Sequence, residues 1–438
     1  MNDDTESASP RSGDRALVLH PHIKKRSKAV PLRDPVGCLA EAVSLTAAIN
    51  LNVIHSEVAT LSAPKPATLF GKGKLEEYAD FIEANEIDVV IIDGSLTPVQ
   101  QRNLERALHA KAIDRTGLIL EIFGDRAQTK EGVLQVELAH LSYQRTRLVR
   151  SWTHLERQRG GAGFLGGPGE SQLEIDRRLI DERIIKIKRQ LETVVRTREL
   201  HRSKRKKVPY PIVALVGYTN AGKSTLFNRL TNSDVFAEDL LFATLDPTMR
   251  KIDLPGGQTV ILSDTVGFIS ELPTELVAAF RATLEEVLEA DLVIHVRDIT
   301  HDDTDAQKQD VFEVLKRLGV DTDEKNHYLE VLNKTDLLSE EDRALVANET
   351  SRRDEMVAMS AFNGQGVDAF LAKVEEQLTF SQKVLSLKIP HDDGATLSWV
   401  YRNGTVISRR DEEEAVILEA KFSAENLGRL EKLPLIIL

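Results

Sequence analysis

Gly217-Tyr218-Thr219-Asn220-Ala221-Gly222-Lys223-Ser224-Thr225 has the residue types and spacing of a loop that grips phosphate. Glycines let consecutive backbone N–H groups point inward, and a helix starting behind them adds partial positive charge. In such a loop Gly217 and Gly222 shape the turn, Lys223 reaches the β- and γ-phosphates, and the Ser224 hydroxyl is a ligand for Mg2+. Farther along, Asp264-Thr265-Val266-Gly267 offers a carboxylate for the water shell of that ion and a glycine N–H for the γ-phosphate. Asn333-Lys334-Thr335-Asp336 selects the base. The Asp336 carboxylate can accept from guanine N1–H and the exocyclic amine together, whereas adenine offers no such donor pair. Lys334 can lay its methylenes over the base, and Asn333 can tie this loop to the phosphate loop. Ser360-Ala361-Phe362 is placed to bring a backbone N–H to guanine O6. Leu240–Arg250 is the expected first switch segment, with Phe242, Ala243, Thr244, Leu245 and Asp246 its expected nucleotide-binding residues and Thr244 its best ligand for Mg2+. Lys223, Thr244 and Gly267 are therefore the expected catalytic set, acting on GTP to give GDP.

These stretches need a scaffold, and the sequence supplies one. Each of the four main motifs follows an apolar run that reads as a buried strand: Pro211–Val216, Thr259–Ser263, Tyr328–Leu332 and Met356–Met359. A doubly wound sheet that holds no nucleotide is the plainer alternative, but four motifs in order, each after a strand, argue against it. One expected group is missing. Many GTPases orient the attacking water with a glutamine directly after the D-x-x-G glycine, and here that residue is Phe268. Slow intrinsic turnover that a partner accelerates is the expectation; replacement of the glutamine by another side chain of the same chain is the alternative. His295 and His301, near the strand Leu292–Val296, have no further ligand at useful spacing and read as structural.

The overall expectation is an α/β protein. Residues 1–15 form a polar tail, and 16–125 an N-terminal parallel α/β domain in which Ala16–Leu19, Asn52–Ile54, Asp88–Asp93 and Gly117–Phe123 read as strands and 35–50, 73–85 and 98–110 as helices. Phe70-Gly71-Lys72-Gly73-Lys74 matches no phosphate-loop spacing and reads as a glycine turn opening a helix. Residues 126–207 read as an antiparallel helical hairpin and basic linker. Leu134, Leu138, Leu141, Leu148, Trp152 and Leu155 form one seam, and Ile180, Ile184, Ile187, Leu191 and Val194 the other. The glycine-rich tip 160–169 is longer than a helical turn requires, and Arg145, Arg147, Arg150, Arg157, Arg159, Arg177 and Arg178 flank it. That clustering suggests contact with structured RNA, the plainer alternative being a solvated helix face. Residues 208–380 make up the P-loop GTPase domain, and 381–438 a small C-terminal α+β domain. There Val384–Pro390, Thr396–Tyr401, Gly404–Ser408 and Ala415–Phe422 read as strands, Arg402–Gly404 as a hairpin turn and 423–431 as a helix.

Composition narrows the setting. A net charge of −12 excludes a uniformly basic nucleic-acid coat, and the single cysteine, Cys38, excludes a disulfide framework or a cysteine-based metal site. The acidic start lacks the pattern of a signal peptide, and no uncharged apolar run approaches the ~18–20 residues of a membrane helix, so a soluble, cytoplasmic chain is expected.

Taken together, the guanine motifs, the 240–250 segment, Asp264–Phe268, the glycine-rich hairpin and the upstream α/β domain resemble the HflX family of ribosome-associated GTPases over about residues 16–380. The resemblance implies a protein, expected to be monomeric, that binds the large ribosomal subunit, hydrolyses GTP with Mg2+, and splits or rescues stalled ribosomes. Two rival functions are a nucleotide-gated binding module that needs no turnover, and an RNA-remodelling ATPase acting through the N-terminal half.

Overall fold

The computed structural model describes residues 10–24, 33–158, 172–205, 210–232, 242, 248–270, 287–320, 328–380, 382–412, 414–423, 430 and 436–437. The chain begins with a parallel sheet built from β1 (Arg15–Ile23), β2 (Asn52–Leu61), β3 (Val89–Ile92) and β4 (Lys111–Asp114), in the order β2-β1-β3-β4. Helices α1 (Pro35–Ala47), α2 (Lys72–Ala84) and α3 (Pro98–Leu108) connect them. Gly71 caps α2, as the glycine-turn reading of that stretch requires.

Gly117–Phe123, expected as a strand, lies inside helix α4 (Arg115–Arg126), and the fourth strand is the shorter Lys111–Asp114. The run misleads because Leu118, Ile119, Leu120, Ile122 and Phe123 are all fully buried, so the helix has no polar face to reveal its period. Asp114 starts it by accepting a hydrogen bond from the Gly117 N–H.

Two long helices follow, α5 (Lys130–Gln158) and α6 (Gln172–Arg205), packed on one another. Ile184 and Ile187 are buried at the seam, as the heptad spacing predicts; the side chains of Trp152 and Leu155, and the tip 160–169, lie outside the described residues. Arg145 pairs with Asp181 and Arg183 with Glu137 across the seam. Arg147 reaches back to Asp114 at 2.6 Å, bonds Gln101 and covers the Tyr143 ring. Arg147 is thus committed to internal contacts, which argues against its place in the expected RNA-facing set, whereas Arg145 stays 45% exposed in its pair with Asp181. Arg177 and Arg178 make loose pairs with Asp181 and Glu182 one turn on. The side chains of Arg150, Arg157 and Arg159 lie outside the described residues.

The second sheet has six strands in the order β10-β9-β8-β5-β7-β6: β5 (Ile212–Gly217), β6 (Thr248–Asp253), β7 (Thr259–Asp264), β8 (Leu292–Asp298), β9 (Tyr328–Asn333) and β10 (Met356–Ala358). All neighbours run parallel except the edge pair β6 and β7. Helices α7 (Lys223–Thr231), α8 (Thr304–Leu318), α9 (Glu340–Thr350) and α10 (Val367–Phe380) belong to this part of the chain. β8 carries His295, which is buried with Nδ1 2.8 Å from the Tyr328 hydroxyl and held well below its ordinary pKa by that burial. His295 is a core residue, and among the described residues no cluster of metal-ligating side chains occurs.

The third sheet is antiparallel, β12-β13-β11-β14, from β11 (Gln382–Pro390), β12 (Thr405–Asp411), β13 (Ala415–Ser423) and β14 (Ile436–Ile437). Thr396–Tyr401, expected as a strand, lies in helix α11 (Gly394–Asn403), so Arg402–Gly404 ends a helix where a hairpin turn was expected. The Asp393 carboxylate accepts from the Thr396 N–H at 3.0 Å, an N-cap that overrides the β-branched and aromatic run. The expected helix 423–431 falls largely outside the described residues. Among the described residues no helix is long and apolar enough to cross a membrane.

Candidate nucleotide site and its link to the N-terminal domain

The phosphate loop leaves β5 and enters α7. Gly222 adopts φ +91°, and a Cβ there would lie 2.2 Å from Asn333 Nδ2, so both backbone conformation and space demand glycine. Lys223 is buried and donates to the carbonyls of Tyr218 at 2.9 Å and Gly217 at 3.2 Å, which curls its ammonium back over the loop. Burial pulls its pKa down to about 8, against the opposing pull of Asp264. Ser224 Oγ donates to Asp264 Oδ2 at 2.7 Å. A hydroxyl and a fully buried carboxylate in contact are two hard oxygen donors from two motifs, and they suit a Mg2+ site.

Around this loop the other motifs assemble. Thr219 N donates to Phe268 O at 2.8 Å and Phe268 N to Gly217 O at 3.0 Å, so the segment after Asp264 runs on as a parallel bridge beside the loop. Gly267 packs against Thr219 and Lys223, where a Cβ would lie 2.8 Å from Thr219 Cγ2. Thr265 Oγ1 bonds the Leu215 carbonyl beneath. Val266 and Phe268 are buried, and the Phe268 ring is wholly out of reach of a water on the phosphate side.

The base motif converges on the same loop. Asn333 donates to Ala221 O at 2.8 Å and accepts from Ala361 N at 2.9 Å, joining phosphate loop, β9 end and the Ser360–Phe362 turn through one amide. Lys334 takes φ +66°, and its ammonium meets Asp298 Oδ2 at 2.8 Å. Thr335 is buried, while Asp336 Oδ1 is a buried atom with no hydrogen-bond partner among the described residues. A buried carboxylate oxygen left without a donor is costly, and guanine N1–H with its exocyclic amine would satisfy it. Ser360 is buried, Ala361 is buried, and Phe362 projects its ring into solvent at 78% exposure. Asn220 sits at φ +58° at the loop's crest and Thr225 is exposed. Of the expected nucleotide-binding residues of the switch segment Phe242 is described; Ala243, Thr244, Leu245 and Asp246 lie outside the described residues.

Phe242 introduces a feature that no local motif announces. Its ring packs edge-on against Phe123 of α4 at 4.6 Å, so the switch segment is anchored on the N-terminal domain. A polar network does the same for the segment after Gly267. Arg115, at the start of α4, donates through Nη1 to Asp93 at 2.6 Å and through Nη2 to Ser270 Oγ at 2.8 Å and Ser270 O at 3.2 Å, and it also bonds Glu41. The Tyr218 hydroxyl donates to Glu41 at 2.6 Å and accepts from Ser270 N at 2.7 Å. His20 Nδ1 lies 2.7 Å from the second Asp93 oxygen. Arg33 lies over Tyr218 and bonds Asp310 of α8. Asp93 is held below the usual carboxylate range by His20 and Arg115, despite its burial. Arg115 and Glu41 bond residues 155 to 229 positions away in the GTPase domain, and nothing in their local sequence, or in that of Asp93, marks them.

This fold and this site define a P-loop GTPase: a phosphate loop on a parallel sheet, with a guanine-selective motif at a neighbouring strand end. Family models match along the chain, described as "GTP-binding GTPase N-terminal" over 38–124, "GTP-binding GTPase Middle Region" over 126–205, "50S ribosome-binding GTPase" over 212–334 and "HflX C-terminal domain" over 345–433. The chain is 49% identical over 418 residues to GTPase HflX of Magnetococcus marinus, covering 95% of this chain and 94% of that one. It is 41% identical over 421 residues to GTPase HflX of Escherichia coli, covering 96% of each. A GDP-complexed GTP-binding protein from Sulfolobus solfataricus is similar over 84% of this chain and 99% of that one, at 24% identity and a TM-score of 0.44. The chain belongs to the HflX family of GTPases, and it is a GTP hydrolase.

Proposed function

We propose that this GTPase docks on the large ribosomal subunit, depends on Mg2+, and in its GTP-bound state splits or rescues stalled ribosomes. The match of residues 212–334 to the model described as "50S ribosome-binding GTPase" is the observation that carries the ribosomal part of this reading. Burial of Phe268 supports the rest. The residue at the water-orienting position is locked in the core, so the chain lacks a side chain there that could polarise water, and turnover waits for a group that the partner brings.

Asp336 reads N1–H and the amine of guanine, with Lys334 over the base and Asn333 coupling base loop to phosphate loop. Ser224 and Thr244 would hold Mg2+, with Asp264 behind Ser224, and the ion would supply positive charge to the phosphate oxygens. Water attacks the γ-phosphorus, the bond to the β,γ-bridging oxygen breaks, and Lys223 with the Gly267 N–H stabilises the charge that spreads over the phosphoryl oxygens.

The test measures GTP hydrolysis by the full chain with and without purified large subunits, alongside gradient sedimentation of ribosomes with GTP, GDP or a non-hydrolysable analogue. Stimulation by the subunit and nucleotide-dependent co-sedimentation are expected, with free subunits increasing when GTP is present. Equal hydrolysis rates and no co-sedimentation would overturn the ribosomal reading.

A further inference from the structure

Helix α7 starts at Lys223, in the phosphate grip, and six residues later presents Arg229, which the motifs do not include. The Arg229 guanidinium turns away from the phosphates toward the Ser360–Phe362 turn. Its Nε donates to the Ala361 carbonyl at 2.5 Å and its Nη2 donates to the Phe362 carbonyl. Its Nη1 lies against Gly364, where a Cβ would come within 2.7 Å, and Gly364 adopts φ +90°. Among the described residues the turn is otherwise stitched to itself and to Asn333: Ser360 N donates to Gln365 O at 2.8 Å, Gly364 N to Ser360 O at 2.9 Å, and Asn363 N to Ser360 Oγ at 3.2 Å. Asn333 holds the turn by one amide, Ala361 N. Two carbonyls on successive residues remain, and a fork of guanidinium donors is the group that can take both.

We propose that Arg229 is a positioning residue for base recognition: it fixes the Ser360–Phe362 turn, which on the reading above brings a backbone N–H to guanine O6, and does so from the helix that carries Lys223 and Ser224. The two ends of one helix, about 9 Å apart at 1.5 Å per residue, then hold the phosphate grip and the O6 reader in a fixed relation. Asn333 links the same two loops on the inner side, and Arg229 does so on the outer side. The inference rests on the reading above that Ser360–Phe362 contacts the base.

The experiment is a ligand-atom cycle on the full chain. Affinities for GDP and for 6-thio-GDP, in which a poorly accepting sulfur replaces only O6, are measured for the unaltered protein, Arg229→Ala and Arg229→Lys. The unaltered protein should prefer GDP. Arg229→Ala should weaken GDP by about threefold to tenfold while barely affecting 6-thio-GDP, so the discrimination at O6 shrinks by nearly the same factor. Arg229→Lys, with one compact donor group in place of a fork, should restore part of it. Equal weakening toward both ligands would show a general structural role and overturn the proposal, as would an unchanged GDP affinity. Asp336→Asn, measured with GDP and XDP, separates the layers: if it fails to favour the xanthine nucleotide, the base-site reading falls, whatever Arg229 does.

Discussion

Removing the Arg115 guanidinium is the sharpest perturbation of the link between the two α/β domains. Its side chain is 7% exposed and faces Asp93 and Glu41, at 4% and 13% exposure. Arg115→Ala strands two buried carboxylates beside a cavity, and breaking a buried ion pair in this way costs about 3–5 kcal/mol. Each carboxylate keeps a second partner, His20 on Asp93 and Tyr218 on Glu41, so the lower end, about 3 kcal/mol, is expected. Urea unfolding of the full chain measures it. The contact with Ser270 is isolated by a double-mutant cycle with Ser270→Ala, where a charge-assisted hydrogen bond at 2.8 Å should give a coupling of about 1.5 kcal/mol. Hydrogen exchange at Ser270 and Thr219 should quicken in the same variant, because the bridge between Tyr218 and Phe268 loses its outer anchor. A loss below about 1 kcal/mol, or strictly additive single variants, would refute the claim that Arg115 holds the segment after Gly267.

Three further outcomes follow from individual residues. The neutral His295 ring is buried while the unfolded chain takes a proton below its ordinary pKa, so stability is complete above about pH 6.5 and falls below it by up to about 1.4 kcal/mol per pH unit; His295→Gln should remove that slope in a pH series of melts. Asp93 acts lower: its stabilisation is intact above about pH 4 and is lost as pH falls through its depressed folded value, so Asp93→Asn should flatten the acid limb of the same series. Gly222→Ala must force φ +91° on an alanine and drive Cβ toward Asn333 Nδ2, and GDP affinity should fall at least about tenfold by equilibrium titration.

Much of the nucleotide site was legible because its chemistry is local: a glycine that must turn, a lysine and serine beside it, an aspartate placed to meet guanine. Asn333 is the best example, since its expected tie to the phosphate loop is the observed bond to Ala221. Gly117–Phe123 was misread for the opposite reason. Burial on every side erased the period that distinguishes helix from strand, and only the Asp114 cap recorded the difference. Thr396–Tyr401 failed similarly, its strand-like residues overruled by Asp393. Glu41, Arg115, Ser270 and Arg229 were illegible in principle, since each is an ordinary polar residue whose role exists only once distant elements meet. The arginines before the tip show the limit of charge counting: Arg147 belongs to a run that looks like a surface patch and is held by Asp114.

The sheet order β2-β1-β3-β4 reverses direction between β1 and β3, and open parallel sheets take their ligands in the crevice beyond the strand ends at such a point. Here His20 and Asp93 flank that crevice, with Arg115 bridging to Ser270 of the GTPase domain. The N-terminal domain is in this sense already liganded, and its ligand is a loop of the same chain. Occupancy of such a crevice is reciprocal: whatever nucleotide state withdraws Ser270 opens the crevice, and whatever enters the crevice favours that nucleotide state by the same free energy.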